Sequence, residues 1–433
     1  MSFIVWLNQW WNITLVTKNN MNNQKFHYKC VDCGATYEES HIIYLCPVCD
    51  KLNSPDIPPK GVLKTVYDYQ KLVKVRVDFA ILSHNNFMDL MPFQEIGSLP
   101  NLRIGRTPLY HYRAFGNPDS TYNIFLKDDS QNPTYSFKDR ASAVVSAYAL
   151  ENEIDTIVAA STGNAGSSLA GICAAQGQKA IIIVPHSAPI AKLTQILMYG
   201  ATIIPVKGTY DDAFDLSIKA TKEFGWYNRN TAFNPLTIEG KKTVSFELYE
   251  QLNFTVPDRI FVPVGDGVII SGVYKGFEEL LNLDIIDYMP IIVAVQAENS
   301  DNLVRNIGAN EFIVEACATI ADSISVDIPR NFYMAQKYIQ EYNGETITVS
   351  DAQIMEASLL LSQSTGLFTE PAAAAAYAGL LSYESSSSLS ENSNNVVLLT
   401  GSGLKDLKAV SSVIEMPNAI NATIDELIKL SQF

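Results

Sequence analysis

Short apolar runs rich in β-branched residues recur from about residue 100 onward, and segments of helical character separate them. Continuous Val, Ile and Leu runs of this length are typical of parallel strands that are buried on both faces. Their alternation with helices predicts an α/β architecture with right-handed crossovers and with ligands bound at the carboxyl ends of the strands. The runs cover residues 154–161, 179–185, 201–206, 259–264, 290–297 and 395–401.

The first part of the chain follows a different pattern. Residues 1–27 begin with a stretch that holds three Trp, but it lacks a basic start and polar residues interrupt it, so we predict an extension rather than a signal peptide. Residues 53–61 are rich in Pro and turn formers and predict a linker. The remaining segment, 62–433, is long enough for two α/β domains.

Between the extension and the linker, residues 28–52 carry two CxxC pairs, Cys30 with Cys33 and Cys46 with Cys49. Four thiolates on two such turns close a tetrahedral zinc site without an open position, which predicts a structural, zinc-ribbon-like module. Redox-active or disulfide-bonded CxxC motifs are the alternative, and His41 is a possible replacement for one ligand. Without a convincing secretion signal, the metal site and a reducing, cytoplasmic location are favoured.

Charge narrows the classes of partner. Acidic residues outnumber basic ones by 46 to 31, giving a formal net charge of −15, which argues against non-specific binding of nucleic acid or anionic lipid. No apolar run approaches the length that spans a bilayer. A chain of this length and composition can form a compact soluble enzyme, and an anionic small substrate would need a local basic or amide-rich pocket.

Four strand-to-helix junctions carry candidate chemistry, although each has an ordinary structural explanation when taken alone. In NPTYSFKDR, 132–140, Phe137 supplies apolar surface beside Lys138, as an imine-forming lysine requires. STGNAGSSLAG, 161–171, would open a helix whose first amides face an anion. The glycines of VPVGDGVIISG, 262–272, allow backbone amides to approach a phosphate, and LLTGSGLKD, 398–406, forms the fourth junction.

In this order the four junctions resemble the fingerprint of the fold-type II pyridoxal-phosphate enzymes, most closely that of the threonine synthases. GRTPLY at 105–110 and TEPAAAAAYAGL at 369–380 also match. The resemblance implies a tryptophan synthase β-like fold with two open parallel-sheet domains, the smaller at about 142–240 and the larger built from the flanking segments. A homodimer is the usual habit of the family.

The resemblance also implies individual roles. Lys138 would hold pyridoxal 5'-phosphate as an aldimine, Thr400 would bond to the pyridine nitrogen, and Asn164 would reach the ring oxygen. Asp266 stands where many relatives carry a neutral residue, so we expect its side chain to face away from the phosphate. The implied cofactor residues are Lys138, Asn164, Gly265, Asp266, Gly267, Val268, Ile269 and Thr400, and the implied substrate-carboxylate residues are Ser161, Thr162, Gly163 and Asn164.

The implied reaction converts O-phospho-L-homoserine and water into L-threonine and phosphate, with Lys138 moving the protons. Thr237 stands where many relatives carry an arginine, which would weaken recognition of the substrate phosphate unless Lys241, Lys242 or Lys192 replaces it. Tyr135 and Ala141 stand where glycines are usual and add bulk near the lysine.

Two other functions stay open. A β-eliminase or β-replacement enzyme acting on serine, threonine or phosphoserine would not need the missing arginine. A non-catalytic paralogue that binds the cofactor is the second alternative. A nicotinamide-dependent dehydrogenase is excluded because no GxGxxG follows the first strand of the βα series.

Overall fold

The computed structural model describes residues 25–39, 42–112, 121–386 and 388–430 of the 433-residue chain. The predicted extension over 1–27 lies almost entirely outside these residues, and His41 lies outside them as well. No helix in the described ranges is both long and apolar enough to cross a membrane.

The strands of the described residues are β1 Phe26–Cys30, β2 Thr36–Glu38, β3 Leu63–Tyr67, β4 Leu109–Tyr112, β5 Asn123–Asp128, β6 Thr156–Ala160, β7 Lys179–Pro185, β8 Thr202–Val206, β9 Tyr227–Asn228, β10 Arg259–Pro263, β11 Ile291–Ala297, β12 Glu345–Val349 and β13 Asn394–Leu399.

The α-helices of the same residues, between which short 3₁₀ segments occur, are α1 Tyr69–Lys74, α2 Phe79–His84, α3 Lys138–Glu151, α4 Asn164–Gln176, α5 Ile190–Met198, α6 Tyr210–Phe224, α7 Leu236–Lys241, α8 Thr243–Gln251, α9 Val268–Asn282, α10 Asn302–Asn306, α11 Phe332–Glu341, α12 Asp351–Thr365, α13 Pro371–Ser385, α14 Leu407–Val410 and α15 Ile424–Leu430.

A small antiparallel sheet of order β2-β1-β3 opens the described chain. Tyr28 on the central strand pairs with Tyr37 on one side and Thr65 on the other. Burial alternates along β1 and β3, as expected for strands with one face on the core. The third strand lies beyond the predicted linker, so residues on both sides of that linker build this sheet.

Two further sheets carry the α/β part. A six-stranded sheet has the order β12-β11-β10-β13-β5-β4, in which all neighbours are parallel except the edge pair β4–β5. A four-stranded, all-parallel sheet has the order β8-β7-β6-β9. The predicted α/β class with parallel sheets is confirmed. The boundaries predicted for the two domains stay a prediction.

Close helix packing positions the segment that carries Lys138. Helices α3 and α7 approach each other through Gly240, where an added Cβ atom would collide with the carbonyl oxygen of Arg140. The Ala run 372–376 of α13 is fully buried against the large sheet, as expected for a tightly packed core helix. Helix α3, which begins at Lys138, is packed directly against α7.

Candidate active site

A cleft of about 590 Å³ lies between the four-stranded and six-stranded sheets. This volume is within the range of pockets that hold small molecules. The cleft is lined at the carboxyl ends of β6, β9 and β10, where ligands bind in open parallel sheets. Three of the four predicted junctions contribute to it, through Lys138, Ser161, Thr162, Gly163, Asn164, Gly265, Asp266, Gly267, Val268 and Ile269.

Lys138 begins α3 and is half-buried in the cleft. The preceding turn is fixed from both sides. The Thr134 amide donates to Asp139 at 2.7 Å, and the Phe137 amide donates to the carbonyl oxygen of Thr400 at 2.9 Å. Burial, together with the nearby Arg229 cation, lowers the pKa of Lys138, although Glu370 opposes part of this effect. The neutral amine needed for covalent chemistry is therefore more accessible than in water.

Tyr135 in the same turn does not crowd the cleft. Its φ of 68° lies in the left-handed region, which explains why a glycine suits this position. The side chain is 51% exposed and is not part of the cleft lining. The expectation that Tyr135 adds bulk near the lysine is therefore wrong, because the backbone conformation directs the side chain outward.

The junction after β6 presents a helix N-terminus to the cleft. The first backbone bond of α4 runs from the Ser167 amide to the Gly163 carbonyl, so the preceding amides of the first turn have no partner within the helix. Such amides, with the helix dipole, favour an anion. The side-chain amide of Asn164 donates to both carboxylate oxygens of Glu370, at 2.9 and 3.0 Å.

The junction after β10 presents a second helix N-terminus, that of α9. Gly267 precedes this helix with a φ of +83°, and an added Cβ atom would lie 3.0 Å from the Leu303 side chain. The first helical bond runs from the Ser271 amide to the Gly267 carbonyl, which leaves the amides of Val268 and Ile269 available. This glycine-containing amide cradle fits a phosphate group.

Asp266 in this cradle is held by the chain segment that follows α10. Its carboxylate accepts a hydrogen bond from the Arg330 amide at 3.1 Å, and its carbonyl accepts one from the Asn331 amide at 2.9 Å. Burial raises the pKa of Asp266, and the Arg330 amide opposes that rise. Whether the side chain faces away from a bound phosphate stays a prediction.

The fourth predicted junction is linked to the cleft without lining it. Thr400 follows β13 and is buried, and its carbonyl accepts from the Phe137 amide. Ser136 and Gly401 form a bridge beside it, and an added Cβ at Gly401 would collide with Glu370. Thr400, Glu370 and the turn before Lys138 are therefore packed together.

Arg229 is a cleft residue that the sequence analysis did not single out. It follows the short strand β9, its side chain is fully buried, and its Nε donates to Ser142 Oγ at 3.0 Å. Among the described residues, neither Nη atom has a hydrogen-bond partner. The sequence signals neither the burial nor the missing partners, since both depend on the packing of distant segments.

Thr237, the position of the missing arginine, does not line the cleft. It is fully buried in α7, and its hydroxyl donates to the Asn234 carbonyl at 2.8 Å. Of the lysines considered as replacements, Lys242 forms buried ion pairs with Glu239 and Glu279. Lys192 pairs with Asp322 at 2.6 Å. Lys241 is buried and donates to the Thr237 carbonyl at 3.2 Å.

The four clustered cysteines meet at the end of the small sheet, with all their sulfur atoms within 4.8 Å of one another. The Sγ atoms of Cys30 and Cys49 lie 3.8 Å apart, and those of Cys33 and Cys46 lie 3.7 Å apart. None of the four cysteines forms a disulfide. A tetrahedron with zinc–sulfur bonds of about 2.3 Å has edges of about 3.8 Å. The donor set therefore fits zinc.

The family model described as "Pyridoxal-phosphate dependent enzyme" matches residues 101–401. The fold is similar to that of the threonine deaminase from T.th., with a TM-score of 0.59 and 26% identity over 69% of this chain and 92% of the other. Maize serine racemase gives a TM-score of 0.60 with 25% identity, covering 71% and 92% respectively. The chain is a pyridoxal-phosphate-dependent enzyme of fold-type II.

Curated relatives place the chain within that class. Threonine synthase of Methanocaldococcus jannaschii is 34% identical over 411 residues, which are 93% of this chain and 98% of the relative. Threonine synthase of Methanosarcina acetivorans is 33% identical over the same shares of both chains. The chain belongs to the threonine synthase family, as the resemblance in its four junctions predicted.

Proposed function

We propose that this protein is a threonine synthase that converts O-phospho-L-homoserine and water into L-threonine and phosphate. The observation that carries the proposal is the position of Lys138 in one cleft with two helix N-termini, those of α4 and α9. One set of free amides suits a substrate carboxylate and the other a cofactor phosphate. A desolvated lysine beside two anion sites is the arrangement that an enzyme acting on amino acids with this cofactor requires.

The residues fit pyridoxal phosphate. Lys138 would anchor it covalently, the amides of residues 265–269 would hold its phosphate, and Asn164 would contact its ring. Thr400 is packed beside the turn that carries Lys138, and its contact with the ring nitrogen rests on the resemblance to the family. When bound, the cofactor supplies an electron sink for negative charge that develops beside the substrate α-carbon. A hydroxyl at Thr400, unlike a carboxylate, does not favour full protonation of the ring nitrogen.

The protein groups would divide the remaining work. The amides at the start of α4 would orient the substrate carboxylate. Lys138, whose pKa is lowered by burial, would take up and return protons at the substrate carbons. Glu370 would hold the Asn164 amide in place through two hydrogen bonds. The buried walls of the cleft would limit the access of bulk water.

A panel of substrates tests the proposal. The purified enzyme with bound cofactor is incubated separately with phosphohomoserine, phosphoserine, threonine and serine, and the products are identified. We expect threonine and phosphate from phosphohomoserine at rates well above any turnover of the others. Rapid deamination of serine or threonine without threonine synthesis would instead support the β-eliminase alternative.

Structural zinc at the four cysteines is part of the same proposal, supported by sulfur spacings that match a tetrahedral site. Free thiols at all four positions suit a reducing compartment such as the cytoplasm. The cytoplasmic location and the homodimer stay predictions.

A further inference from the structure

The guanidinium of Arg229 is the one buried cation of the cleft wall, within the described residues, whose terminal nitrogens have no partner. Its Nε is satisfied by Ser142, whereas both Nη atoms are buried without a hydrogen bond. An unpaired buried donor costs free energy, and a guanidinium stays charged at all physiological pH values. An anionic ligand in the cleft would supply the missing acceptors.

Neighbouring acids do not supply them. Across the described part of the chain, no carboxylate forms an ion pair with Arg229. Asp139 accepts from Thr134, and Asp266 accepts from the Arg330 amide. Arg229 thus lines the cleft without a structural ion pair among the described residues.

Lys241 is a second buried basic side chain close to Arg229. Its side chain is fully buried, and its Nζ donates only to the Thr237 carbonyl within the described residues. Burial, and the repulsion of the Arg229 and Lys138 cations, lower its pKa well below the ordinary value. Lys242, next in the chain, shows the contrast, since Glu239 and Glu279 neutralise it. Lys241 therefore lies close to Arg229 and Lys138, with Asp266 as a nearby carboxyl group, and Arg229 is the member of this cluster that stays charged.

The buried guanidinium of Arg229 would be matched by a third anion, in addition to the two anions that the helix N-termini accommodate. The amides of α4 suit the substrate carboxylate and those of α9 suit the cofactor phosphate. In the proposed reaction, on which this inference rests, the remaining anion is the phosphate of phosphohomoserine. A planar guanidinium binds a phosphate with two parallel hydrogen bonds.

We propose that Arg229, supported by Lys241, binds the substrate phosphate and replaces the arginine that many relatives carry at the position of Thr237. The guanidinium then enters the cleft from the end of β9, and α7 contributes only the supporting Lys241. This explains how the site accepts a phosphorylated substrate although Thr237 is buried and turned away.

The test compares Arg229→Gln, Arg229→Lys and Lys241→Gln with wild type, all with cofactor bound. Lys192→Gln is the matched control. It also removes a basic side chain near the cleft, but Lys192 already forms an ion pair with Asp322. Three quantities are measured: the Kd of inorganic phosphate by calorimetry, KM and kcat for phosphohomoserine, and cofactor occupancy by absorbance. Arg229→Gln should raise both the phosphate Kd and KM by about 100-fold, the size expected for loss of a bidentate charged contact, with occupancy retained. Arg229→Lys should recover part of the loss, and Lys192→Gln should behave as wild type.

Each outcome decides a separate point. Unchanged phosphate affinity in Arg229→Gln overturns the proposal that Arg229 binds the substrate phosphate. Loss of cofactor with an unchanged KM also overturns it, and would assign Arg229 to the cofactor phosphate instead. If wild type binds phosphate through Arg229 yet forms no threonine from phosphohomoserine, the proposed function fails and the anion site stands. Should Arg229→Gln fail to fold, the phosphate affinities of Arg229→Lys and Lys241→Gln decide the question, since both should be weakened.

Discussion

Asn164 donates its side-chain amide to both oxygens of Glu370, which joins the start of α4 beside the four-stranded sheet to the start of α13 beside the six-stranded sheet. The carboxylate is almost fully buried. Burial raises the pKa of Glu370, and the Asn164 hydrogen bonds offset part of that rise. The pair therefore controls both the orientation of Asn164 and the local charge near Lys138.

The raised pKa gives a stability prediction with a definite sign. A carboxyl group whose pKa is higher in the folded than in the unfolded state favours folding below its unfolded pKa of about 4.3. That contribution is lost as pH rises through the folded pKa. Glu370→Gln should therefore gain thermal stability relative to wild type as pH increases, and the gain should vanish in acid. Melting temperatures of both proteins across pH check this, and a pH-independent difference would contradict it.

Thr400 gives a prediction for catalysis. Thr400→Val removes the hydroxyl but leaves the carbonyl that accepts from Phe137, so the turn before Lys138 should keep its shape. Loss of a buried hydrogen bond to the cofactor ring should cost on the order of 1 kcal/mol or more of transition-state stabilisation, which lowers kcat several-fold. Borohydride reduction and peptide mapping should still locate the cofactor on Lys138.

Thr400→Ser is the matched control and should stay close to wild type because it retains the hydroxyl. Equal kcat values for Thr400→Val and wild type would assign the ring nitrogen to another partner. A cofactor found on Lys127 or Lys192 after reduction would refute the role of Lys138.

Thr237→Arg gives a prediction that reverses the sequence-based expectation. An arginine here would be expected to restore phosphate recognition, yet Thr237 is fully buried and its carbonyl already accepts from Lys241. The larger side chain would overpack α7, at a cost of roughly 1–3 kcal/mol, and would add a charge beside a buried cation. We expect a lower melting temperature and no decrease in KM. Thr237→Ser, which keeps the hydroxyl bond to Asn234, should remain near wild type.

The cysteine cluster predicts a metal-dependent fold of the small sheet. Cys30→Ser or Cys46→Ser should reduce zinc content and lower the melting temperature, because a structural site contributes directly to folding. Turnover per folded molecule should persist, since four protein ligands leave no position for substrate. Cys173→Ala, which changes an isolated buried cysteine, is the control and should leave zinc content unchanged. Unaltered zinc in Cys30→Ser would contradict the site.

The parts of the fold and site that the sequence predicts are those with local signals. Buried strands such as β6 and β10 appear as continuous apolar runs, and the junctions of Ser161 and Gly265 follow them directly. In each case the strand and the loop that functions at its end are adjacent in the chain. The predicted convergence of these junctions follows from the geometry of parallel strands.

Other features depend on contacts between distant segments and have no local signal. Strand β3 follows the linker in the sequence, and its place in the sheet of the cysteine module becomes evident from its pairing with β1. The outward direction of Tyr135 follows from its left-handed backbone. Arg229 is indistinguishable from a surface arginine until the packing around it buries its nitrogens without partners. Function at such positions is visible only in three dimensions.

Simultaneous measurement of threonine and phosphate formed from phosphohomoserine tests the central claim most directly. The wild-type enzyme with its cofactor should release one phosphate for each threonine formed, because elimination of the phosphate and addition of water occur on the same molecule. Phosphate release accompanied by a 2-oxo acid and ammonia instead of threonine would show an eliminase. Absence of any phosphohomoserine consumption would contradict the proposed function outright.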